Sequence, residues 1–337
     1  MANTTLTASI VAKAAVAILE NELNMAGSVH RGYEEEFDKK VNGYEVGDTI
    51  TIRKPTDFTV RTNITASAQD VKEAKLTMTA NKIAGVDFQF TSQQLTLNIG
   101  QLSERVIRPA MIQIANQIDR DVFALYKDIP QWVGTPGGAM DTFKKFSAGA
   151  RNFDIRSVPN DGGRNIALSP SDFWDIAGAQ TALFNPALVE KAFKSGKVGM
   201  VAGLDTFMAQ NVPTHTVGPL GGTPLVNGAS QNTAYDTTGV NTQTLVTDGW
   251  TAAAAQRVNV GDVFTIAGVF DVNPVTKVAL PILKQFVVAS GSTLNSDGSG
   301  NLTLTIAPQI VTSGAFQNCS AAPADNAAIT FVGTANT

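Results

Sequence analysis

The side chains that most often carry out chemistry are sparse in this chain. It has two histidines, His30 and His215, and one cysteine, Cys319. Neither histidine has a second ligand at metal-binding spacing, so a surface or boundary position is favoured over a metal or catalytic role. Cys319 has no basic or histidine neighbour in sequence to favour its thiolate, and we expect a small buried apolar residue and not a nucleophile.

Motifs for phosphate binding or nucleophilic catalysis do not occur. The sequence has no P-loop, no Gly-x-Gly-x-x-Gly and no Gly-x-Ser-x-Gly. Asn295, Asp297 and Asn301 are spaced somewhat like calcium-loop ligands, but the terminal acidic ligand is missing, which favours a turn. A single cysteine also excludes a disulfide framework within these residues. We therefore expect no catalytic residue, no metal site and no cofactor. The chain is expected to be a structural subunit and not an enzyme. A hydrolase is the enzymatic alternative, and nothing beyond the scattered acidic residues supports it.

Two charged segments are candidates for contacts between subunits. Three consecutive glutamates follow a tyrosine in a dense run of charge over residues 33–40, and two basic residues end a strand-like segment near residue 53. Adjacent carboxylates usually form a solvated face. An equally weighted alternative is that they meet the basic pair, or its equivalent, on a neighbouring copy. The suspected subunit-interface residues are Tyr33, Glu34, Glu35, Glu36, Arg53 and Lys54.

The elements that would position these residues begin with helix and ribbon patterns. Residues 7–25 have helical spacing, and residues 102–126 have the longest helical pattern, whose apolar stripe is expected to be core. Pro109 is expected to kink this helix or to mark a break. Alternating apolar residues at both ends of 45–92 predict a long two-stranded excursion with a polar tip. Because an isolated hairpin is marginal in water, we expect a neighbouring subunit to support it.

The composition changes sharply at Gly218. From there to Thr337 the chain has no glutamate, and its positive side chains are Arg257, Lys277 and Lys284. Short strand patterns separated by turns predict a small barrel or sandwich in this part of the chain, with a hairpin loop at residues 295–301. Shorter helices are expected near residues 141–150, 171–178 and 186–194.

Bulk properties limit the class of protein further. A chain of 337 residues can hold two or three packed regions. Its net charge of -4 and 16% charged residues argue against a protein that mainly grips nucleic acid. The apolar stretch at residues 14–19 is too short and too charged at its edges for a signal peptide or a membrane span.

Several segments resemble those of tailed-bacteriophage major capsid proteins, in the branch of the phage P22 coat protein. They are residues 1–7, 31–37, 46–55, 211–218, 259–268 and 321–333. The resemblance implies an α+β, HK97-like capsid fold with an inserted small β-barrel domain. It places an N-arm at 1–44, an E-loop at 45–92, a peripheral domain with spine helix and part of the axial domain at 93–217, and the β-rich insertion at 218–337. In the family the chain returns after the insertion, so the C-terminal return of the fold is expected to be missing here.

The function that this resemblance implies is that of a major capsid protein. Such a chain self-assembles as pentamers and hexamers into an icosahedral shell around double-stranded phage DNA, without binding that DNA specifically. A scaffolding protein and a portal are implied partners, with no membrane, and the protein would be made in the host cytoplasm and reside in the virion. The alternative is a phage decoration, tail or adhesin-like β-rich binding module, which the glutamate-free back third motivates.

Overall fold

The computed structural model describes residues 13, 15–19, 23–30, 32, 49–61, 63–66, 68–87, 106–180 and 200–337. Among these residues, the helices that we label α1 to α4 span Met25–Ser28, Arg108–Phe123, Phe143–Ile155 and Pro170–Gln180. A 3-10 turn spans Ala124–Asp128. The strands β1 to β11 are Thr49–Arg53, Lys75–Thr79, Asn165–Leu168, Met200–Val201, Leu204–Met208, Gly222–Val226, Gln243–Trp250, Val263–Val272, Ala279–Val288, Leu302–Ala307 and Ile329–Phe331. The charged run at 33–40 and the helix predicted at 186–194 lie outside the described residues.

The long helix α2 follows the predicted pattern but differs at its start and on its apolar face. Pro109 lies in the first turn, where its missing N–H is not needed, so the helix begins beside it. The predicted core stripe is wrong in degree: Met111, Ile114 and Ile118 are half-buried and Leu125 is 59% exposed. Residue spacing showed which face was apolar, but spacing alone does not say how much of that face the chain itself covers.

A small α/β unit follows this helix. Strand β5 pairs in parallel with β3 and antiparallel with β4, while α3 and α4 pack nearby. Its buried cluster centres on Phe146, Ile176 and Leu204. Ser169 begins α4 by accepting a hydrogen bond from Asp172 N at 3.2 Å and donating one to the Asp172 carboxylate at 2.8 Å. This reciprocal cap fixes where strand β3 turns into helix.

The predicted two-stranded excursion is confirmed. Strands β1 and β2 pair antiparallel from Thr49 opposite Thr79 to Arg53 opposite Lys75. All five residues of β2 are exposed. We call residues 49–79 the ribbon, and residues 54–74, between its strands, the tip.

The predicted small barrel is also present. Six antiparallel strands run in the order β11-β8-β9-β10-β7-β6, and a bridge between Leu225 and Ala328 brings the two edges together. The sheet is therefore nearly closed around a buried core that includes Phe264, Phe286 and Leu304. We call residues 218–337 the barrel unit. In the described part of the chain, no helix is long and apolar enough to cross a membrane.

Candidate assembly interface

The ribbon exposes a large amount of apolar surface. Val60 is 93% exposed, Ile64 100% and Ile83, just beyond β2, 80%. Leu76 and Met78, on β2 itself, are each 41% exposed. Large apolar side chains that are exposed along one segment make that segment a candidate place for another molecule to bind. The ribbon is thus the strongest candidate for an assembly surface among the described residues.

The two predicted basic residues lie where β1 meets the tip. Arg53 Nη1 is 3.4 Å from Glu73 Oε2, and the two side chains are 82% and 52% exposed. An ion pair this exposed contributes little to stability. Lys54 N donates to Ala74 O at 2.8 Å and continues the ladder by one step. Tyr33 and residues 34–36, the other members of the predicted interface, lie outside the described residues.

A cleft of about 560 Å³ separates the ribbon tip from the barrel unit. Asp57 and Asp70 line it on the ribbon side. On the barrel side, Tyr235 and Phe316 stack with ring centroids 3.8 Å apart. Burial, followed by the charge of Asp236, raises the pKa of Tyr235, so its phenol stays protonated. This wall is accordingly neutral and aromatic.

A hydrogen-bonded relay joins the barrel unit to the end of α2. Tyr126 Oη lies 3.0 Å from His215 Nδ1, and His215 Nε2 lies 2.8 Å from Asp262 Oδ1. Asp262 is fully buried and also accepts from Gly218 N at 3.1 Å and Asn259 N at 2.7 Å. We call this group the junction relay. His215 is at a boundary, as predicted, whereas its two partners were not predicted from the sequence.

The junction relay has the order acid, histidine, hydroxyl, which in other settings activates a nucleophile. Here the hydroxyl is a phenol. Burial, followed by the charge of Asp262, raises the pKa of Tyr126, so the group stays a hydrogen-bond donor. The arrangement therefore holds two parts of the chain together and does not generate a nucleophile.

The junction relay connects the barrel unit to α2, and a buried charge cluster connects the barrel unit to α3. Asp271, on β8, lies 2.9 Å from Arg156 Nη2 and 2.7 Å from Lys284 Nζ. Asn273 adds a hydrogen bond from its amide to Ile155 O at 3.3 Å. Arg156 and Ile155 are more than a hundred residues from Asp271 and Asn273 along the chain. The cluster therefore fixes the barrel unit against the end of α3.

The N-terminal segment is anchored to α2 by one carboxylate. Asp119, 2% exposed, accepts hydrogen bonds from Ala26 N at 2.9 Å and Asn24 N at 3.2 Å. The first N–H groups of a helix lack intrahelical partners, and a carboxylate satisfies them well. The sequence signal that could have indicated this contact is an acidic residue in the middle of the partly apolar face of α2.

The remaining candidates for chemistry are Cys319, His30 and the loop at residues 295–301. Cys319 is fully buried, as predicted, and burial raises the pKa of its thiol to about 12. His30 is exposed, also as predicted. Asp297 accepts hydrogen bonds from Ser299 N and Asn301 N, both at 2.8 Å, so the predicted turn at 295–301 is confirmed. Among the residues that the structure describes, no group of three or more acidic, histidine or cysteine side chains could hold a metal ion.

Three solved structures are similar to this chain. One from Mycobacterium phage Che8 has 13% identity and a TM-score of 0.45, covering 86% of this chain and 88% of that one. The capsid structure of cyanophage P-SCSP1u has 11% identity and a TM-score of 0.30, covering 87% and 85%. The CUS-3 coat protein I-domain has 28% identity and a TM-score of 0.24, covering 34% and 97%. No curated protein matches the sequence.

The class of protein is decided by a family match over the whole sequence. The family described as P22 coat protein, gene protein 5, matches residues 1–337. The chain is therefore a bacteriophage major capsid protein, a structural subunit of the virion shell. It belongs to the P22 coat protein family, and this membership favours the capsid interpretation over the β-rich binding module.

Proposed function

We propose that this chain self-assembles into an icosahedral shell of pentamers and hexamers around double-stranded phage DNA, and that the ribbon is the arm that joins neighbouring subunits. The observation that supports this role is the ribbon's exposure: every residue of β2 is exposed, and the tip carries Val60 and Ile64 in solvent. The molecule that would cover this exposed surface is a second copy of the chain, because shell formation places copies side by side. A closed shell buries such a surface in every copy by symmetry.

The domain division that goes with this proposal is HK97-like. Residues 1–44 are the N-arm, 45–92 the E-loop, 93–217 the peripheral domain with spine helix and part of the axial domain, and 218–337 the insertion domain. Helix α2, the ribbon and the nearly closed barrel support this division. A scaffolding protein and a portal are further proposed partners. The protein is not an enzyme and is made in the host cytoplasm.

The contact that we assign to the ribbon is electrostatic as well as apolar. Arg53 has a long, exposed ion pair within its own chain, so exchanging Glu73 for another carboxylate costs little. Lys54 adds a second positive charge beside it. We assign Tyr33 and the glutamates at 34–36 of a neighbouring copy as the complementary surface, since opposite charges set register and encounter rate more than affinity.

The double variant Arg53→Glu/Lys54→Glu tests this contact. We expect it to fold normally, because both side chains are outside the buried clusters, and to form shells more slowly or not at all. A matched control is Lys144→Glu/Arg151→Glu, which makes the same charge change at exposed positions of α3. Sedimentation velocity and negative-stain microscopy would compare the three proteins, each expressed with and without the neighbouring scaffold gene. Normal shells from the ribbon variant would remove Arg53 and Lys54 from the interface.

The same measurement on the unmodified protein tests the function itself. Shells or large uniform rings are expected in at least one of the two expressions. A small, well-behaved species from the complete gene in both would overturn the proposed self-assembly.

A further inference from the structure

The ribbon contacts the barrel unit of its own chain at two points. Lys75 N, at the start of β2, donates to Thr237 O at 3.1 Å. On the other limb, Asp57 Oδ2 lies 3.0 Å from Lys277 Nζ, in the turn between β8 and β9. These side chains are 45% and 15% exposed, respectively. The first contact lies where the paired strands end and the second lies just inside the tip, one on each limb.

The first contact requires glycine in the barrel loop. Gly239 has φ +94°, and a Cβ added there would lie 2.0 Å from Lys75 O and 3.1 Å from Lys75 C. Any side chain would therefore collide with ribbon backbone, which cannot move aside without breaking the hydrogen bond to Thr237. Close backbone approach, and not side-chain packing, creates this contact.

Burial along the ribbon changes sharply at the same place. Ala74 is 1% exposed, whereas Lys75 and the rest of β2 are exposed. Ala74 O also accepts the hydrogen bond from Lys54 N at 2.8 Å, which ties the two limbs together beside the clamp. The barrel unit thus holds both limbs of the ribbon near the base of the tip, while β2 stays exposed.

We propose that the barrel unit is a cis-acting docking platform, which clamps the ribbon of its own chain and sets its direction before a neighbour binds. This inference rests on the proposed role of the ribbon as the joining arm. A free two-stranded ribbon is marginally stable and samples many orientations. Holding it in one direction lowers the entropy that association must otherwise remove, so the clamp speeds assembly without contributing a contact to the neighbour.

Zero-length carbodiimide coupling tests the clamp directly. The reagent activates the Asp57 carboxylate, the Lys277 amine displaces the urea, and an amide bond forms between side chains that are 3.0 Å apart. Peptide mass spectrometry on an equal mixture of ¹⁴N- and ¹⁵N-labelled protein separates links within a chain from links between chains. We expect the 57–277 link in single-isotope form, both in the unassembled protein and in shells.

One control variant and two contrary results make this test decisive. Lys277→Arg keeps the positive charge but has no primary amine, so the link is lost while assembly continues normally. Mixed-isotope links would show that the platform holds a neighbour's ribbon, and the absence of any 57–277 link in the unassembled protein would show that no clamp exists. Either result overturns the inference.

Assembly kinetics complete the test. Lys277→Glu places like charges opposite each other, and we expect shell formation to slow by roughly three- to tenfold, with restoration in the swapped pair Asp57→Lys/Lys277→Glu. Unchanged thermal unfolding of the barrel unit would exclude misfolding. Unchanged assembly in Lys277→Glu refutes the clamp alone, whereas failure of the unmodified protein to form shells refutes the proposed function and leaves the cross-linking result standing.

Discussion

Replacing Asp262 with alanine removes the acceptor that three N–H groups share at the junction relay. The three donors are Gly218 N, Asn259 N and His215 Nε2. Each buried donor left without a partner costs about 1–3 kcal/mol. Because His215 is 21% exposed and water can reach its ring, we expect a total loss of about 3–6 kcal/mol. That is a large share of the stability of an ordinary domain, about 5–15 kcal/mol.

Asp262→Asn should lower the free energy of unfolding far less, because the ring of His215 can exchange its donor and acceptor nitrogens. An amide oxygen in the place of Oδ2 still accepts from Gly218 N and Asn259 N. The new amide N–H₂ then faces His215 Nε2, which accepts if the ring proton moves to Nδ1 and is donated to Tyr126. All the bonds survive with the tautomer reversed, so we expect a loss of about 1 kcal/mol.

The reversal predicts coupling between two residues that do not touch. In the unmodified protein, Tyr126→Phe removes a donor to a partly exposed ring nitrogen and should cost about 1 kcal/mol or less. In the Asp262→Asn background it leaves an N–H without an acceptor, so the same substitution should cost about 1 kcal/mol more.

Urea unfolding followed by the fluorescence of Trp250, which is buried in the barrel core, measures these differences. Trp132 and Trp174 are 39% and 61% exposed and should change less on unfolding. Equal losses for the alanine and asparagine variants of Asp262 would show that the carboxylate charge, and not acceptor geometry, holds the junction. Additive effects of Asp262→Asn and Tyr126→Phe would refute the tautomer reversal.

Two further predictions concern buried groups. Cys319 has a pKa raised from 9.0 to about 12, so its stabilising contribution is complete below pH 9.0 and is lost as the pH rises toward 12. Circular dichroism should accordingly show less alkaline destabilisation for Cys319→Ala than for the unmodified protein, and equal alkaline curves would contradict the cause. Asp271→Ala leaves Arg156 and Lys284 as uncompensated buried cations, which should cost about 3–5 kcal/mol in urea unfolding. A milder loss than that of Arg156→Met would show that the carboxylate is not the centre of this cluster.

Short-range patterns in the sequence predicted the local elements well. Alternation around residues 49–53 and 75–79, and turn-bounded strands in the barrel unit, reflect periodicities that each strand carries by itself. The function was predicted from the resemblance of several segments to a family, because no chemical motif in the chain indicates it. The interface role of the basic pair at residue 53 stays a prediction.

Contacts between distant segments were beyond sequence reasoning. No residue close to His215 in sequence indicates Tyr126 or Asp262 as its partner, so the sequence predicts only a surface or boundary histidine. The burial of α2 was overestimated for a related reason. Periodicity identifies the apolar face of a helix, but the amount covered depends on neighbours whose placement periodicity does not encode. Gly239 was likewise one glycine among 29, and only the approach of Lys75 gives it a specific role.

The bridge that closes the barrel has a consequence for the timing of synthesis. Leu225 and Ala328 are about a hundred residues apart along the chain. Strand β11, three residues long, is the last strand of the barrel unit to leave the ribosome, and it pairs with β8 through Ile329, Thr330 and Phe331. Until then the edge of β8 stands open while the sheet beside it can already form. Nascent chains on neighbouring ribosomes of one mRNA therefore expose the same unpaired strand edge. Exposed edges of this kind favour strand exchange and aggregation.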